Sequence, residues 1–96
     1  MLLDDLIAKK DEIRQLCQRH GARRVRVFGS VARREERADS DIDFLVDLPR
    51  GYDLFRQRIP LTESLSAMLN RRVELIPEHE LNRHLRAHVQ QEAIEL

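Results

Sequence analysis

Residues 41–48 set the tightest limit on how this chain folds, because apolar residues recur there at every second position. Alternation of this kind places one set of side chains on each face of a β-strand. One face carries only apolar side chains, whereas the other face begins with Asp41 and Asp43. The chain therefore contains a half-buried strand that opens with two negative charges.

The rest of the chain alternates between predicted helices and strands. Residues 24–28 and 72–76 are short, alternating and rich in β-branched residues, which is typical of strands. Helical spacing of apolar residues predicts helices over residues 4–19, 54–69 and 78–92. This interleaving favours an α/β (α+β) fold, a small three- to four-stranded mixed sheet with helices packed on it. At 96 residues, we expect one domain.

Two of the predicted helices carry a further expectation. Pro60 lies inside the middle helix, where it either kinks the helix or starts a second one at its first position. The last helix is expected to turn Leu81, Leu85 and Val89 inward. Residues 31–38 are highly charged, and we expect one short helical turn and a loop there.

Charge and cysteine content narrow the classes of function. Seventeen basic and seventeen acidic residues give a net charge of zero, so no broad positive field favours nucleic acid or an anionic membrane. Cys17 is the only cysteine and lies on the apolar stripe of the first helix, which predicts a core residue and no internal disulfide. No apolar run approaches the ~20 residues of a membrane span. We expect a small cytoplasmic domain without direct nucleic-acid binding.

A glycine and a serine, Gly29 and Ser30, directly follow the first predicted strand. Glycine at such a bend lets the backbone approach a ligand closely, and a serine hydroxyl with the following N–H groups can hold phosphate oxygens. An ordinary turn is the alternative interpretation of this pair.

Three acidic side chains are candidates for metal binding. Asp41 and Asp43 lie on one face of their strand, with Cα atoms ~6.6 Å apart, and two like charges so close repel unless a cation lies between them. Carboxylates suit Mg²⁺ or Mn²⁺, and two such ions can clamp the attacking and leaving oxygens of a phosphoryl displacement. Glu74 joins them if its strand lies beside theirs. A polar strand end is the alternative.

Together these features resemble the minimal nucleotidyltransferase (MNT) domain of the polymerase-β-like nucleotidyltransferase superfamily. The resemblance is carried by GSVARREERADSDIDFLVDL, in which ten residues separate the Gly-Ser pair from Asp-Ile-Asp. It extends over nearly the whole chain, including residues 73–76 and 91–94. A nucleotidyltransferase fold is what it implies.

The resemblance also implies roles for individual residues. The turn Gly29-Ser30 would bind the β- and γ-phosphates of ATP, and Arg33 belongs to the same pattern. Asp41 and Asp43 would hold the metal ions, two Mg²⁺ or in their place Mn²⁺. Glu74 would be the third catalytic carboxylate, near the acceptor hydroxyl, where it helps deprotonation.

Proteins of this family resemble the antitoxin partners of HEPN-domain ribonuclease toxins. The leading hypothesis is therefore an antitoxin that transfers AMP from ATP to a tyrosine of a cognate HEPN toxin. So short a chain leaves little room for an acceptor pocket, which favours a protein partner over a free small molecule, and self-association or the toxin is expected to cover its apolar surface. The alternative is a non-catalytic antitoxin that acts by occlusion.

Several other residues are expected to be structural. Arg34 and Arg37 alternate with glutamates, which predicts a solvated, self-paired surface. His84 and His88 have the four-residue spacing of metal ligands but no third ligand at a suggestive spacing, so we expect surface histidines. Tyr52 is expected either to pack over the nucleotide or to cap the sheet, and packing is favoured.

Overall fold

The computed structural model describes all 96 residues. Its α-helices are Leu2–Ala8 (α1), Lys10–Arg19 (α2), Gly29–Ala32 (α3), Ile59–Leu69 (α4) and Arg83–Glu92 (α5). Its strands are Arg23–Phe28 (β1), Ile42–Asp47 (β2), Val73–Pro77 (β3) and Ile94–Glu95 (β4). A π-helical turn at Leu54–Arg58 precedes α4, and a 3₁₀ turn at Glu78–Glu80 follows β3. None of the helices combines the length and the apolar character needed to span a lipid bilayer.

The four strands form one mixed sheet in the order β3-β2-β1-β4. Strands β2 and β3 are parallel, whereas β1 is antiparallel to both of its neighbours. The sheet confirms the predicted fold class. Its fourth strand is only two residues long, pairing Ile94 with Val27 and Glu95 with Arg26, and so short a segment carries no alternation from which it could be predicted.

The main core lies on the apolar face of β2. Ile42, Phe44 and Val46 have no exposed surface, as the alternating pattern predicted. Full burial of such side chains contributes roughly 1.5–3 kcal/mol each. Helices α1, α2 and α4 cover this face with the buried side chains Leu6, Ile13, Leu61 and Leu65. The strand is thereby held firmly in register, which fixes the direction of its polar face.

The opposite face of β2 is covered by a smaller group of side chains. Leu45 and Val89 are buried, and so is Arg26, which is 3% exposed. The Arg26 guanidinium donates to the carboxylates of Asp47 at 2.7 Å and Glu78 at 3.4 Å. A buried arginine with two carboxylate partners satisfies the rule that buried charges are paired.

The first and last helices differ from their predicted form. The first is broken at Lys9 into α1 and α2. The last begins only at Arg83, where the Asn82 side chain accepts a hydrogen bond from the His84 N–H and caps the helix. Leu85 was predicted to face inward, and this is wrong because it is 55% exposed. It falls in the first turn of the shortened helix, and only the later Val89 is buried.

Pro60 marks a junction between two helical pieces, as expected. The π-helical turn ends at Arg58, and α4 begins at Ile59 with the proline in its first turn. Proline is tolerated there because the first N–H groups of a helix have no intrahelical partner. Asp53 caps the preceding turn by accepting hydrogen bonds from two backbone N–H groups.

Candidate active site

The turn after β1 lies directly against β2. Gly29 has a φ of +74°, a left-handed conformation that favours glycine. A Cβ at this position would collide with the carboxylate of Asp43, so only glycine allows the two chain segments to come so close. The sequence predicted that the backbone at this bend approaches a ligand, and in the structure the group close to it is the Asp43 carboxylate.

The parallel pairing of β2 and β3 brings two predicted acids together. Asp43 is the register partner of Glu74, so both side chains leave the sheet on the same face. Burial, the neighbouring Glu74 carboxylate and Asp41 together raise the pKa of Asp43 to about 6, although Arg33 opposes them. Like charges in contact favour protonation of one member. The pair is therefore an electrostatically unfavourable arrangement that a cation would relieve.

Asp41 lies one residue before β2 and has a basic neighbour. Its Oδ1 atom is 3.6 Å from Nε of Arg72. Across the chain, no three histidine, cysteine, aspartate or glutamate side chains converge tightly enough to form a ready-made metal site. Asp41, Asp43 and Glu74 thus carry the donors that Mg²⁺ prefers, but the three carboxylates are not gathered around one point, and Asp41 lies next to Arg72.

The three predicted phosphate contacts, Gly29, Ser30 and Arg33, lie at the start and end of α3. Ser30 is half-buried in this short helix. Arg33, which ends it, donates from Nη1 to Glu92 Oε1 at 2.5 Å and from Nε to Glu35 Oε2 at 3.1 Å. The Gly29 N–H donates to Oε2 of Glu92 at 2.9 Å. One carboxylate therefore contacts both Gly29 and Arg33.

Glu92 was given no role from the sequence. Its side chain is 11% exposed, far less than those of Arg33 or Glu35. The signal that points to it is positional, since it lies two residues before Ile94, the residue of β4 that pairs with β1. So short a pairing cannot be read from alternation, and residues 91–94 entered the sequence argument only as part of a family pattern.

None of the residues expected to be structural forms an ion pair with the three acids, of which only Asp41 has such a partner, Arg72. Cys17 is buried, and burial raises the pKa of its thiol to about 12. Tyr52 packs against the core and donates from its hydroxyl to Glu80. Arg34 is paired, though with Asp4 of α1 through two hydrogen bonds rather than with the neighbouring glutamates. His84 and His88 are exposed.

Two cavities differ in their relation to these acids. A cavity of about 370 Å³ borders Glu74 and lies between β3 and the start of α4. Its other lining residues are Arg58, Ile59, Thr62, Glu63, Val73 and Leu75. A larger one of about 1100 Å³ lies where β1 starts and β2 ends, and it contains none of the predicted site residues. The smaller cavity is therefore the better candidate for the site, because it borders Glu74 and the larger one borders none of the predicted site residues.

Comparison with known proteins agrees with this geometry. A sequence profile described as a nucleotidyltransferase domain matches residues 10–96. The chain is 44% identical over 71 residues to the protein adenylyltransferase MntA of Thermococcus cleftensis, an alignment that covers 74% of this chain and 68% of the relative. A solved chain assigned as a minimal nucleotidyltransferase superimposes with a TM-score of 0.86 and 46% identity, covering 98% of this chain and 95% of that one.

A more distant likeness extends to an assembled structure. A chain from the crystal structure of a toxin-antitoxin with AMP-PNP has a TM-score of 0.75 at 22% identity, with coverage of 88% of this chain and 69% of that one. At this identity the likeness concerns the fold. The resemblance and the fold predicted from the sequence are both confirmed by these comparisons.

Proposed function

Because this chain belongs to the nucleotidyltransferase domain family, we propose that it transfers AMP from ATP to a tyrosine of a cognate HEPN ribonuclease toxin. The transfer neutralises the toxin and depends on Mg²⁺, with Mn²⁺ as the second candidate. The observation that carries the proposal is the register of β2 and β3, which sets Asp43 opposite Glu74 beside the turn at Gly29. The similarity to a relative named as a protein adenylyltransferase supports it.

The three acids are assigned to the metal. Asp41 and Asp43 would hold the ions, and Glu74 would complete the set on the acceptor side. When bound, divalent ions neutralise charge on the reacting phosphates and orient the attacking and leaving oxygens. The raised pKa of Asp43 supports this assignment. Besides burial, its causes are the negative charges of Glu74 and Asp41, and a bound cation would offset the repulsion among these carboxylates.

The turn after β1 is assigned to the triphosphate. Ser30 offers its hydroxyl, and Arg33 keeps guanidinium N–H groups beyond the two that donate to Glu92 and Glu35. Gly29 makes the arrangement possible, because its missing Cβ lets the turn lie against Asp43. The proposed phosphate donors and metal-binding carboxylates thereby lie at the same end of the sheet, where β1 ends and β2 begins.

The chemical step is an in-line displacement. The tyrosine oxygen of the toxin forms a bond to the α-phosphorus of ATP, and the bond from this phosphorus to the bridging oxygen of pyrophosphate breaks. The phenolic proton leaves toward the carboxylate of Glu74, and pyrophosphate departs with the electron pair. No covalent intermediate on this chain is needed, so positioning and electrostatics supply the rate.

The acceptor enters from the partner protein. The cavity beside Glu74 is bounded by the apolar Ile59, Val73 and Leu75 and by charged side chains. An aromatic ring with one polar tip suits such a mixed lining. The remaining walls are assigned to the toxin, which brings the acceptor tyrosine to this cavity.

The test is transfer of label from α-labelled ATP to the purified toxin in the presence of Mg²⁺. We expect label on the toxin with the wild-type chain, loss of label on addition of a chelator, and loss with the double variant Asp41→Asn, Asp43→Asn. A matched control is Asp39→Asn, an exposed acid in the loop before β2. This control should retain transfer.

Neutralisation of the toxin is measured in the same samples. Loss of neutralisation by the double variant, with binding to the toxin intact, supports transfer as the mechanism. Retained neutralisation by that variant, or absence of label on the toxin while neutralisation persists, contradicts it and favours inhibition by occlusion.

A further inference from the structure

A carboxylate outside the proposed catalytic set holds the turn that the nucleotide would meet. Glu92, the last residue of α5, accepts the Gly29 N–H at 2.9 Å and the Arg33 Nη1–H at 2.5 Å, through different oxygens. The two donors lie at the beginning and the end of the same turn. Glu92 thus ties the turn at both ends.

The strand pairing explains why a side chain occupies this place. Ile94 is level with Val27 on the antiparallel strand, so Glu92 comes level with Gly29. There β1 ends and its backbone bends away with a positive φ, which leaves the Gly29 N–H without a strand partner. The Glu92 carboxylate supplies the acceptor that the sheet no longer offers.

The charge of Glu92 is stabilised where it lies. Burial opposes ionisation of its carboxyl, but the hydrogen bonds from Arg33 and from the Gly29 N–H outweigh burial and hold its pKa below the ordinary value. Charge-assisted bonds of this kind are shorter and stronger than neutral ones. The contact is therefore a fixed part of the fold, in contrast to the exposed pair that Arg24 forms with Glu95.

We infer that Glu92 is a positioning residue for the transfer reaction, an inference that rests on the proposed function. By fixing the turn at both ends, it sets the place of Gly29, whose Cα lies against the Asp43 carboxylate. It also restrains the Arg33 guanidinium at the end of the turn that is assigned to the triphosphate. Release of the turn would disturb the phosphate donors and the space around Asp43 together.

Three variants test the inference. Glu92→Ala removes both contacts, Glu92→Gln keeps an acceptor for the Gly29 N–H but loses the charge, and Glu95→Gln changes an exposed carboxylate of β4 as the matched control. Amide hydrogen exchange of Gly29 is followed by NMR in the nucleotide-free protein. KM for ATP and kcat are measured with the toxin as acceptor.

We expect Glu92→Ala to speed Gly29 exchange about tenfold or more, since its acceptor is gone. The kcat/KM for ATP should fall about 10- to 100-fold, the range for loss of a supporting contact to a reactive group. Glu92→Gln should lie between Glu92→Ala and the wild type in both measurements. Glu95→Gln should match the wild type in both.

Two results would overturn the inference. Tighter nucleotide binding by Glu92→Ala would show that the carboxylate competes with the triphosphate instead of positioning its donors. Unchanged Gly29 exchange in Glu92→Ala would show that the tether does not exist in solution. If the wild-type chain itself transfers no label, the proposed function fails, and the Gly29 exchange measurement still decides whether Glu92 holds the turn.

Discussion

Strand β2 carries two aspartates on one face, Asp43 and Asp47, and each has a second carboxylate nearby. The fold compensates the negative charge of one pair but not of the other. At the beginning of the strand, Asp43 faces Glu74 of β3 with no arginine inserted between them. Four residues later, Asp47 approaches Glu78, and the buried Arg26 donates to both. The same strand therefore holds one carboxylate pair with a built-in cation and one without.

This difference separates a structural role from a chemical one. Two carboxylates that flank a buried arginine are neutralised by that arginine. Removing the carboxylates would leave the buried arginine charge unpaired. Burial and Glu78 raise the pKa of Asp47 although Arg26 opposes them. Burial and Glu74 raise the pKa of Asp43 to about 6, and this pair, which holds no arginine between its carboxylates, remains open to an ion from solution. The contrast leads to three predictions on activity, on stability and on pH.

The largest expected effect is on transfer. Asp43→Asn should lower the rate of AMP transfer about 10²–10³-fold, the usual loss when one stabilising group of a transition state is removed. Asp47→Asn should leave the rate within about twofold of wild type, because Asp47 is not part of the proposed site and its carboxylate forms an ion pair with Arg26. Labelled-ATP assays of both variants at equal concentration provide the comparison. Equal losses in the two variants would erase the distinction between the two pairs.

The second expected effect is on stability. Arg26→Met should lower the free energy of unfolding by about 2 kcal/mol, because Asp47 and Glu78 lose their cation while both are partly exposed to water. Arg24→Met, which removes only an exposed pair with Glu95, should lower the free energy of unfolding by clearly less than Arg26→Met does. Urea denaturation of the two variants gives these values. A smaller loss for Arg26→Met than for Arg24→Met would contradict the structural role of the buried arginine.

The smallest expected effect concerns pH. The pKa of Asp43 is about 6 in the folded chain and ordinarily 3.8, so between these values the folded state binds more protons. Stability from this group therefore falls as pH rises from about 4 to about 6, and the loss persists above it. Water screening of the half-buried carboxylate reduces the effect to about 1 kcal/mol.

Urea denaturation at pH 4.5 and pH 7 measures this dependence without metal. The difference between wild type and Asp43→Asn isolates the contribution of Asp43, and it should favour the variant at pH 7. A variant that is less stable than the wild type at pH 7 would mean that the Asp43 charge is compensated within the fold.

Local periodicity predicted the strand of the site but not its full surroundings. The alternation in residues 41–48 predicted both the buried face and the shared face of Asp41 and Asp43, since strand geometry has only one period. The sequence predicted that Glu74 approaches Asp43 only if their two strands are neighbours, and which strands are neighbours depends on the whole chain. The parallel register of β2 and β3 satisfies that condition.

The two missed features have different causes, one distant in sequence and one local. Glu92 reaches Gly29 across 63 positions through a two-residue strand. Leu85 follows the helical pattern yet lies exposed, because Asn82 starts the helix later than the pattern alone suggests. The partner of Glu92 lies outside the window in which periodicity acts, whereas Asn82 acts locally through a side-chain cap that apolar spacing does not report.

The absent side chain at Gly29 has a consequence for how this protein can change. Alanine there would have to adopt a left-handed backbone and would also displace the Asp43 carboxylate. Such a variant would retain every acidic group in its sequence and still lose the spacing between them. Gly29→Ala thus adds one methyl group and tests whether the acidic residues alone are sufficient for activity or whether their spacing is also required.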